Sequence, residues 1–381
     1  MFGKDTMKGK QTANLHIQKT NRTNIYQLLR QTDGLTKQDI IRRLQLSLPT
    51  VTQNINSLQQ EGLIMEDGFV GHTGGRRAKT YSIVRNARTA IGLDITRNHI
   101  TVVVVDLAGN VIIQNRERYK FERSDRYFKH LGDIINDLVK KAAISEKQIL
   151  GVGIGLPGLV TDDNQTIFYG EILKFTGATC KEFSKYIQYK TALFNDANAA
   201  GFAEFWIRQT PGSAFYLMLS NNIGGAVVIN NQIYGGSHFH SGEIGHLTIF
   251  PQGKPCYCGQ KGCVDAYLAA TVLSSLCDGN LADFFQLLEQ KNNNAVKLWN
   301  TYLDCLALTV NNLQAVFDSK VILGGYVGVY LEKYIDDLKK RAVKLNSFEN
   351  DADYLDVCRY KTHSIAAGAA LNFIVQFIDS I

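Results

Sequence analysis

One histidine and three cysteines stand close together in the segment GEIGHLTIFPQGKPCYCGQKGCVD, residues 242 to 265. Clustered imidazole and thiol groups are typical ligands of a transition metal in a reducing compartment, where cysteines stay unpaired. Two acids, Glu243 and Asp265, lie beside them. The segment therefore predicts either chemistry at a metal or a metal that holds neighbouring groups in place. Its four candidate ligands are His246, Cys256, Cys258 and Cys263.

Length and composition favour a globular protein of several domains. The chain has 381 residues, of which 45% are hydrophobic and 20% charged, so two or three domains are expected. It contains no run of eighteen apolar residues, and the N-terminal segment MFGKDTMKGKQTANLH is polar and basic. We therefore expect a cytoplasmic protein without membrane contact. Four further cysteines are scattered and are expected to be buried thiols: Cys180, Cys277, Cys305 and Cys358.

Positive charge is concentrated at one end of the chain. Residues 1 to 84 contain 12 Lys and Arg against 6 Asp and Glu, whereas the remainder contains 29 of each. The whole net charge of +6 therefore belongs to the first fifth of the sequence. A basic module joined to a neutral body indicates a nucleic-acid contact, although a solvated basic face is an ordinary alternative.

The basic module has the pattern of a winged helix-turn-helix. Apolar residues recur at helical spacing within residues 14–30, again after Thr36, which can cap a helix, and again after the LSLP turn. The segment LIMEDGFV, with Asp67-Gly68 as a turn, and the segment GHTGGRRAKTYSIV then predict a two-stranded wing. Small three-helix cores also occur in protein-binding modules, which remain the alternative.

The outward side chains of this module suit DNA. With Val51, Ile55 and Leu58 facing inward, the helical period points hydroxyl and amide groups outward, where they can meet base edges in a major groove. Basic groups nearby suit phosphates, and an arginine pair at the wing tip suits a minor groove. For that pair a plain basic loop is the alternative. The candidate DNA contacts are Ser47, Thr50, Gln53, Asn54, Lys37, Arg42, Arg43, Arg76 and Arg77.

From Thr89 onward the sequence predicts two successive α/β units. The segment AIGLDITRNHITVVVVDLAGNVI indicates a strand, a turn and a second strand, with Asp106-Leu-Ala-Gly closing the hairpin, and a helix follows near residues 127–142. The apolar strand ILGVGIGLPGLV and the strand-to-loop TALFNDANAAGFAEFW come next. A second strand series begins at SAFYLMLS. Two such units favour two lobes with a cleft between them.

Several motifs resemble those of the ROK family (repressor, open reading frame, kinase). They are NRTNIYQLLR, LSLPTVTQNINSLQQEGLI, GIGLPGLV, NDANAAGFAE, GEIGH, CYCGQKGC and VILGG. The resemblance implies an α/β protein with an N-terminal winged helix-turn-helix at residues 1–85, joined to an actin-like (ribonuclease H-like), two-lobed sugar-kinase fold. The first lobe would span 86–205 and be completed by the C-terminal helix 364–381. The second would span 206–363 and carry the metal loop.

The resemblance also implies roles for the clustered residues. The histidine and three cysteines would hold one structural zinc, because four protein ligands leave no open position for a catalytic water; thiols without metal are the alternative. In family kinases the residue that matches Asp196 is the general base. Asp265 stands where the family usually has Glu, which puts the usual sugar preference in doubt. The implied sugar-binding residues are Asn195, Asp196, Glu243, His246 and Asp265.

Both phosphate loops depart from the family pattern. The first, usually D-x-G-G-T, reads DITRN at residues 94–98, and the second, commonly G-T-G-I-G, reads SNNIGG at residues 220–225. Side chains at such positions obstruct a close phosphate contact. We therefore expect no ATP binding and no catalysis.

The predicted function is a sugar-responsive DNA-binding repressor. Its partners would be a sugar effector and a roughly palindromic double-stranded operator, bound by a homodimer or a dimer of dimers. One alternative is an active glucokinase- or fructokinase-like enzyme that carries a DNA-binding domain. Another is a repressor that answers to a protein partner.

Overall fold

A mixed α/β architecture is seen in the computed structural model, which describes residues 4–70, 77–208 and 212–381. A winged-helix module with a three-stranded sheet precedes two lobes, each built on a five-stranded sheet. No helix within these ranges is both long and apolar enough to cross a membrane.

The winged-helix module confirms the predicted helix-turn-helix. Thr36 caps the second helix through a reciprocal pair of hydrogen bonds with Asp39. Ser47 caps the third, whose inward side chains Val51, Ile55 and Leu58 are buried. The strands pair antiparallel in the order β1-β3-β2. The elements are α1 (Lys4–Gln31), β1 (Leu35–Thr36), α2 (Lys37–Leu44), α3 (Leu48–Gln60), β2 (Ile64–Val70) and β3 (Ala78–Ile83).

The predicted turn at Asp67-Gly68 was wrong. Strand β2 runs through this dipeptide, and its pairing with β3 shifts register between Glu66 and Gly68, which makes a bulge. Gly68 has φ 153°, a conformation that side-chain-bearing residues rarely adopt. The Ser82 hydroxyl donates to the Asp67 carboxylate and fixes it against β3. The connection of the wing therefore falls later, between Val70 and Ala78.

The first lobe is built on the sheet order β10-β7-β4-β5-β6. Strands β4, β7 and β10 are parallel, while β5 and β6 run antiparallel to their neighbours. The predicted hairpin at Asp106 is confirmed, because its carboxylate accepts from the amides of Ala108 and Asn110. The elements are β4 (Thr89–Ile95), β5 (His99–Asp106), β6 (Val111–Arg118), α4 (Asp125–Lys141), β7 (Ile149–Leu156), β8 (Leu159–Val160), β9 (Ile167–Tyr169), α5 (Cys180–Phe183), β10 (Thr191–Asn195) and α6 (Asp196–Arg208).

The second lobe repeats this topology in the order β13-β12-β11-β14-β15. Strands β11, β14 and β15 are parallel, and β12 and β13 are antiparallel. The repeat is that of the actin-like fold that the sequence predicts. The elements are β11 (Ala214–Leu219), β12 (Ile223–Ile229), β13 (Gln232–Ile233), α7 (Asp265–Leu268), α8 (Ala270–Ser274), α9 (Leu281–Glu289), α10 (Asn293–Phe317), β14 (Lys320–Gly324), α11 (Gly325–Gly328), α12 (Ile335–Val343), β15 (Leu355–Val357) and α13 (Ser364–Ser380).

Helix α6 lies between the two lobes. On one side it packs on α13 so closely that a Cβ at Gly368 would come within 1.7 Å of the Ala199 carbonyl oxygen. On the other side it meets β12, where a Cβ at Gly201 would come within 2.6 Å of Ala226. The helix extends to Arg208, three residues past the predicted lobe boundary at 205/206.

A buried ionic network ties the end of α6 to the strand that leads out of the second lobe. Glu204 is fully buried and accepts hydrogen bonds from the backbone amides of Arg359 and Tyr360 at 2.9 Å. Arg208 donates to Glu204 and to Asp356, each at 2.5 Å. Because Asp356 belongs to β15, the first lobe and the second are held together through these charges.

The winged-helix module packs directly on the first lobe. The buried side chains Ile25 and Leu29 of α1 belong to the same hydrophobic core as Ile374 and Ile378 of α13. At the edge of this contact the Arg30 guanidinium lies 4.1 Å above the centre of the Trp206 ring, near the end of α6. Burial there lowers the pKa of Arg30.

The ionic network makes a prediction for stability. Glu204→Gln leaves the Arg208 charge with only Asp356 as a carboxylate partner, so we expect unfolding to become easier by about 3 kcal/mol, the lower end for a broken buried ion pair. Glu332→Gln, which removes the exposed pair with Lys361, should cost less than about 1 kcal/mol. Urea unfolding of the two variants measures both values, and equal losses would contradict a structural role for Glu204.

Candidate functional site

The four predicted metal ligands come together in space. One ligand atom from each of His246, Cys256, Cys258 and Cys263 lies within 4.8 Å of all the others. The Cys258 and Cys263 sulfurs are 3.8 Å apart, and the Cys256 sulfur is 3.9 Å from His246 Nδ1. Three sulfurs and one imidazole nitrogen at these separations can surround a single metal ion in tetrahedral geometry.

The loop that carries the cysteines folds tightly because of one glycine. Gly262, with φ 82°, precedes the last cysteine, and a Cβ there would lie 1.8 Å from the Phe250 carbonyl oxygen. Its amide donates to the Lys254 carbonyl, which closes the loop around the cysteines. Short bridges pair Pro255 with Lys261 and Thr248 with Cys263. The backbone therefore brings the ligands together without a disulfide.

His246 joins the metal cluster to a cavity. Its Nδ1 faces the Cys256 sulfur, whereas its Nε2 lies 3.3 Å from the Tyr257 hydroxyl. The side chains of His246 and Tyr257, together with those of Asp196 and Glu243, line a cavity of about 60 Å³, which we name the metal-side cavity. The cavity opens toward a wider cleft of about 590 Å³ that shares Asp196 and Tyr257. A metal at the cluster would thus orient a side chain that faces the cavity.

Carboxyl groups dominate the electrostatics of the metal-side cavity. Asp196 is the first residue of α6. Burial raises its pKa to about 7, and the carboxylates of Asp94 and Glu243 act in the same direction. Burial also raises the pKa of Asp94 to about 7 and the pKa of Glu243 above its usual range. These groups can accept hydrogen bonds from hydroxyls when ionised and donate one when protonated.

Two of the predicted sugar ligands have other partners. The side-chain amide of Asn195 donates to the Gly158 carbonyl at 3.1 Å, and its side-chain oxygen accepts from the backbone amide of Asn198 at 2.9 Å. Asn195 therefore caps α6 while it lines the cavity. Asp265 is not among the residues that line the metal-side cavity. Its carboxylate accepts from the Ile223 amide at 2.7 Å and thus fixes the start of β12.

Residues of both phosphate loops line the wider cleft. Arg97, in the first loop, donates to the Ile172 carbonyl across the mouth of the wider cleft. In the second loop Ser220 is buried, and its carbonyl accepts from Ala270. Tyr326 lines the same cleft. Gly325, from the VILGG motif, has φ 77° and lies against the backbone of Leu219, so it serves packing.

Some of the polar groups that are predicted to contact DNA from α3 already have hydrogen-bond partners within the helix. Ser47 and Thr50 hydrogen-bond to each other at the start of α3, and the Asn54 amide donates to the Thr50 carbonyl. Gln53 is exposed on the same helix. The paired polar groups can still contact bases, but with fewer free donors and acceptors.

The basic residues differ in their surroundings. Lys37 and Arg77 line a groove of about 620 Å³ between the start of α2 and the wing strands, which sequence reasoning did not foresee. Arg42 pairs with Asp39, and Arg43 donates to Thr32. Arg76 lies outside the described residues.

Sequence reasoning missed two residues that line the cavity or the cleft. Tyr257 lies between Cys256 and Cys258, and a tyrosine there carries no metal-binding signal of its own. Tyr326 directly follows the VILGG motif, whose glycines gave no indication of a side chain in the cleft. Arg97, by contrast, lies in the first phosphate loop, where the sequence already predicts side chains in place of glycines.

Comparison with known proteins agrees with a winged helix joined to a domain of the sugar-kinase type. A model described as winged helix-turn-helix DNA-binding matches residues 19–65, and the model of the ROK family matches residues 90–374. Because the second match covers most of the sequence, the chain belongs to the ROK family.

Two curated relatives show the degree of similarity. The xylose repressor of Caldicellulosiruptor bescii is 27% identical over 246 residues, which are 64% of this chain and 62% of that protein. The chain thus spans less than two thirds of that relative. The N-acetylglucosamine repressor of Escherichia coli O157:H7 is 26% identical over 340 residues, which are 87% of this chain and 79% of that protein.

Solved structures agree on the fold. A ROK family transcriptional regulator, a homologue of the Escherichia coli MLC protein, superposes with a TM-score of 0.76 at 19% identity, covering 96% of this chain and 97% of its own. A ROK family glucokinase from Streptomyces griseus, in complex with glucose and AMPPNP, gives 0.60 at 21% identity, covering 74% of this chain and 98% of its own. Regulators and kinases therefore share this two-lobed body.

The cluster geometry predicts a bound metal. Protein purified without chelator should contain one metal ion per chain by elemental analysis, and Cys258→Ser should lose it and unfold several degrees earlier. Cys277→Ser, at a half-buried cysteine outside the cluster, should retain both metal and stability. Wild-type protein without metal would show that the thiols serve another purpose.

Proposed function

We propose that this chain is a sugar-responsive transcriptional repressor whose kinase-like body has lost catalysis. The observation that carries the proposal is the pairing of a carboxylate-lined metal-side cavity with phosphate loops whose side chains line the wider cleft. Relatives named xylose repressor and N-acetylglucosamine repressor support the class of effector. Because operator DNA is its target, the protein would act in the cytoplasm.

The proposed metal is zinc in a structural role. Three thiolates and one imidazole form a ligand set that favours Zn²⁺ and fill its tetrahedral shell. With zinc on His246 Nδ1, the other ring nitrogen is left to face the cavity and the Tyr257 hydroxyl. The ion would therefore fix the wall of the metal-side cavity and supply no reactive water.

Sugar would bind through hydroxyl groups at the acidic side of this cavity. Asp196 and Glu243 offer charge-assisted hydrogen bonds, each worth on the order of 1.5–3 kcal/mol. His246 and Asn195 would add neutral partners. Asp265, which the family resemblance places among the sugar ligands, would act one step removed, by holding the backbone of Ile223.

We propose that catalysis is lost because of the residues on the side of the cleft where a phosphate donor would bind. Phosphoryl transfer needs a nucleotide positioned by backbone amides and neutralised by a metal ion. Here Arg97, Ser220 and Tyr326 stand on the walls where phosphates would approach. Asp196 could still remove a proton, yet no donor is held in line. A coupled ATP-consumption assay with hexoses and pentoses tests this point, and sugar-dependent turnover would overturn it.

DNA binding would place α3 in a major groove and the wing beside the backbone. Gln53 is exposed on α3 and Asn54 beside it is half-buried, while Lys37 and Arg77 border the groove between the start of α2 and the wing strands. Arg42 and Arg43 would add phosphate contacts. A homodimer formed through the body would present two such modules to a roughly palindromic operator.

Helix α6 offers a direct route from effector to DNA. It begins at Asp196 in the metal-side cavity and reaches Trp206, which stacks on Arg30 of the DNA-binding module. A sugar that favours one lobe arrangement would therefore move a helix that contacts both sites. The shift can be no larger than the difference in sugar affinity between the two arrangements. We propose that sugar weakens operator binding.

The DNA-binding groove generates one prediction. Lys37→Ala and Arg77→Ala should each weaken operator binding and reduce the slope of log affinity against log salt by roughly one unit, because each loses one phosphate contact. Arg126→Ala removes an exposed arginine of the first lobe and serves as the matched control. Gel-shift titrations at several salt concentrations give the slopes, and unchanged slopes for both variants would show that this groove does not face DNA.

The carboxyl groups of the metal-side cavity generate a second prediction. Asp196→Asn should weaken sugar binding by roughly tenfold or more and leave DNA binding without sugar intact. In wild type, sugar affinity should rise as pH increases through about 7, because the ionised Asp196 is the stronger acceptor. The variant should lose part of this dependence, with Asp94 and Glu243 contributing the rest. Calorimetric titration between pH 6 and 8 measures both effects, and equal affinities at pH 7.5 would exclude Asp196 from the site.

A further inference from the structure

A second cavity adjoins the metal-side cavity at the junction of the lobes. It has a volume of about 410 Å³, and we name it the hinge cavity. Leu159 and Asn195 border both cavities. The remaining walls come from the 160–164 segment, α6 and α13 in the first lobe, and from residues 233–239 in the second. The function proposed above makes no use of this space.

Uncharged polar groups line the inner wall. The side-chain oxygen of Asn198 on α6 is buried and has no hydrogen-bond partner within the described part of the chain. Leaving such an acceptor unpaired is unfavourable, and a turn of the Asn198 amide would present it to a ligand hydroxyl in the cavity. Asn164 and Asn372 place two further amides on the wall. Asp162 is the one charged side chain among the described residues of the lining.

Aromatic rings form the rim. Tyr234 is 49% exposed and Phe239 is 36% exposed, and both border the cavity. Phe168 lies 6.3 Å from Phe239, centre to centre, and extends this surface. Apolar ring faces beside amide groups suit a ligand that presents both C–H and hydroxyl surfaces. With no cation in the described lining, an anionic ligand is disfavoured.

We propose that the hinge cavity is a second saccharide-binding site. The inference rests on the proposed function and extends it, because residues of both lobes line the cavity and a bound ring would stabilise one lobe arrangement. The saccharide has two possible sources. It is either the second unit of a disaccharide whose first unit occupies the metal-side cavity, or a separate monosaccharide.

The test is calorimetric titration of the full, metal-loaded chain with pentoses, hexoses, N-acetylhexosamines and their disaccharides. A disaccharide that binds once per chain, at least tenfold more tightly than its monosaccharide, supports the first source. Two monosaccharides per chain support the second. Asn198 and Asp196 lie two positions apart on α6, and they line different cavities. The variants Asn198→Leu and Asp196→Asn therefore test the two cavities one at a time. If a disaccharide binds, we expect Asn198→Leu to abolish its advantage over the monosaccharide. If two monosaccharides bind, we expect the variant to lose the second. In both cases the sugar affinity of the metal-side cavity should stay within about twofold of the wild-type value.

Several outcomes overturn the inference. If each chain binds one monosaccharide and no disaccharide binds more tightly, the inference is overturned and the proposed function stands. The same holds if Asn198→Leu binds these sugars with the affinity and stoichiometry of the wild type. Binding of none of these sugars overturns both. If Asn198→Leu fails to fold, Phe239→Ala at the exposed rim takes its place, and unchanged disaccharide affinity and stoichiometry in that variant count against the inference.

Discussion

The close packing of α6 between α13 and β12 is the constraint on which the rest of this structure depends. Backbone oxygens and small side chains meet there at distances that leave no room for a Cβ, as at Gly368 and Gly201. A helix held so tightly cannot bend independently of its neighbours, because packed interiors transmit displacement. Its two ends nevertheless have different surroundings, with Asp196 in the metal-side cavity and Trp206 beside the winged-helix module.

The metal cluster and the altered phosphate loops have complementary effects. In the proposed function, a metal at the cluster would fix the wall that carries His246 and Tyr257, which is the wall assigned to sugar. Arg97 and Tyr326 line the wider cleft, where the proposal expects no nucleotide to be held. Such a body would bind sugar and respond to it without turnover. This is how we propose that a ROK family fold serves regulation here.

Much of this architecture was predictable from sequence, because periodic apolar residues and local motifs determine it. Val51, Ile55 and Leu58 revealed α3, and the histidine and cysteines revealed their own cluster. What the sequence did not predict depends on contact between distant segments. Asp67 lies at a bulge where Ser82 binds it, the Asp265 carboxylate accepts from the Ile223 amide, and Asn198 lines a cavity between lobes. None of these pairings leaves a periodic or local signal.

The central claim is that α6 carries the effector state to the DNA-binding module through Trp206 and Arg30. Operator affinity measured by fluorescence anisotropy, with and without saturating sugar, tests it in wild type and in Trp206→Leu. The account predicts that sugar changes wild-type affinity by roughly 5–150-fold, the usual range of allosteric coupling. In the variant the change should fall to less than about twofold, with sugar binding retained. A variant that responds to sugar as strongly as wild type would contradict the account.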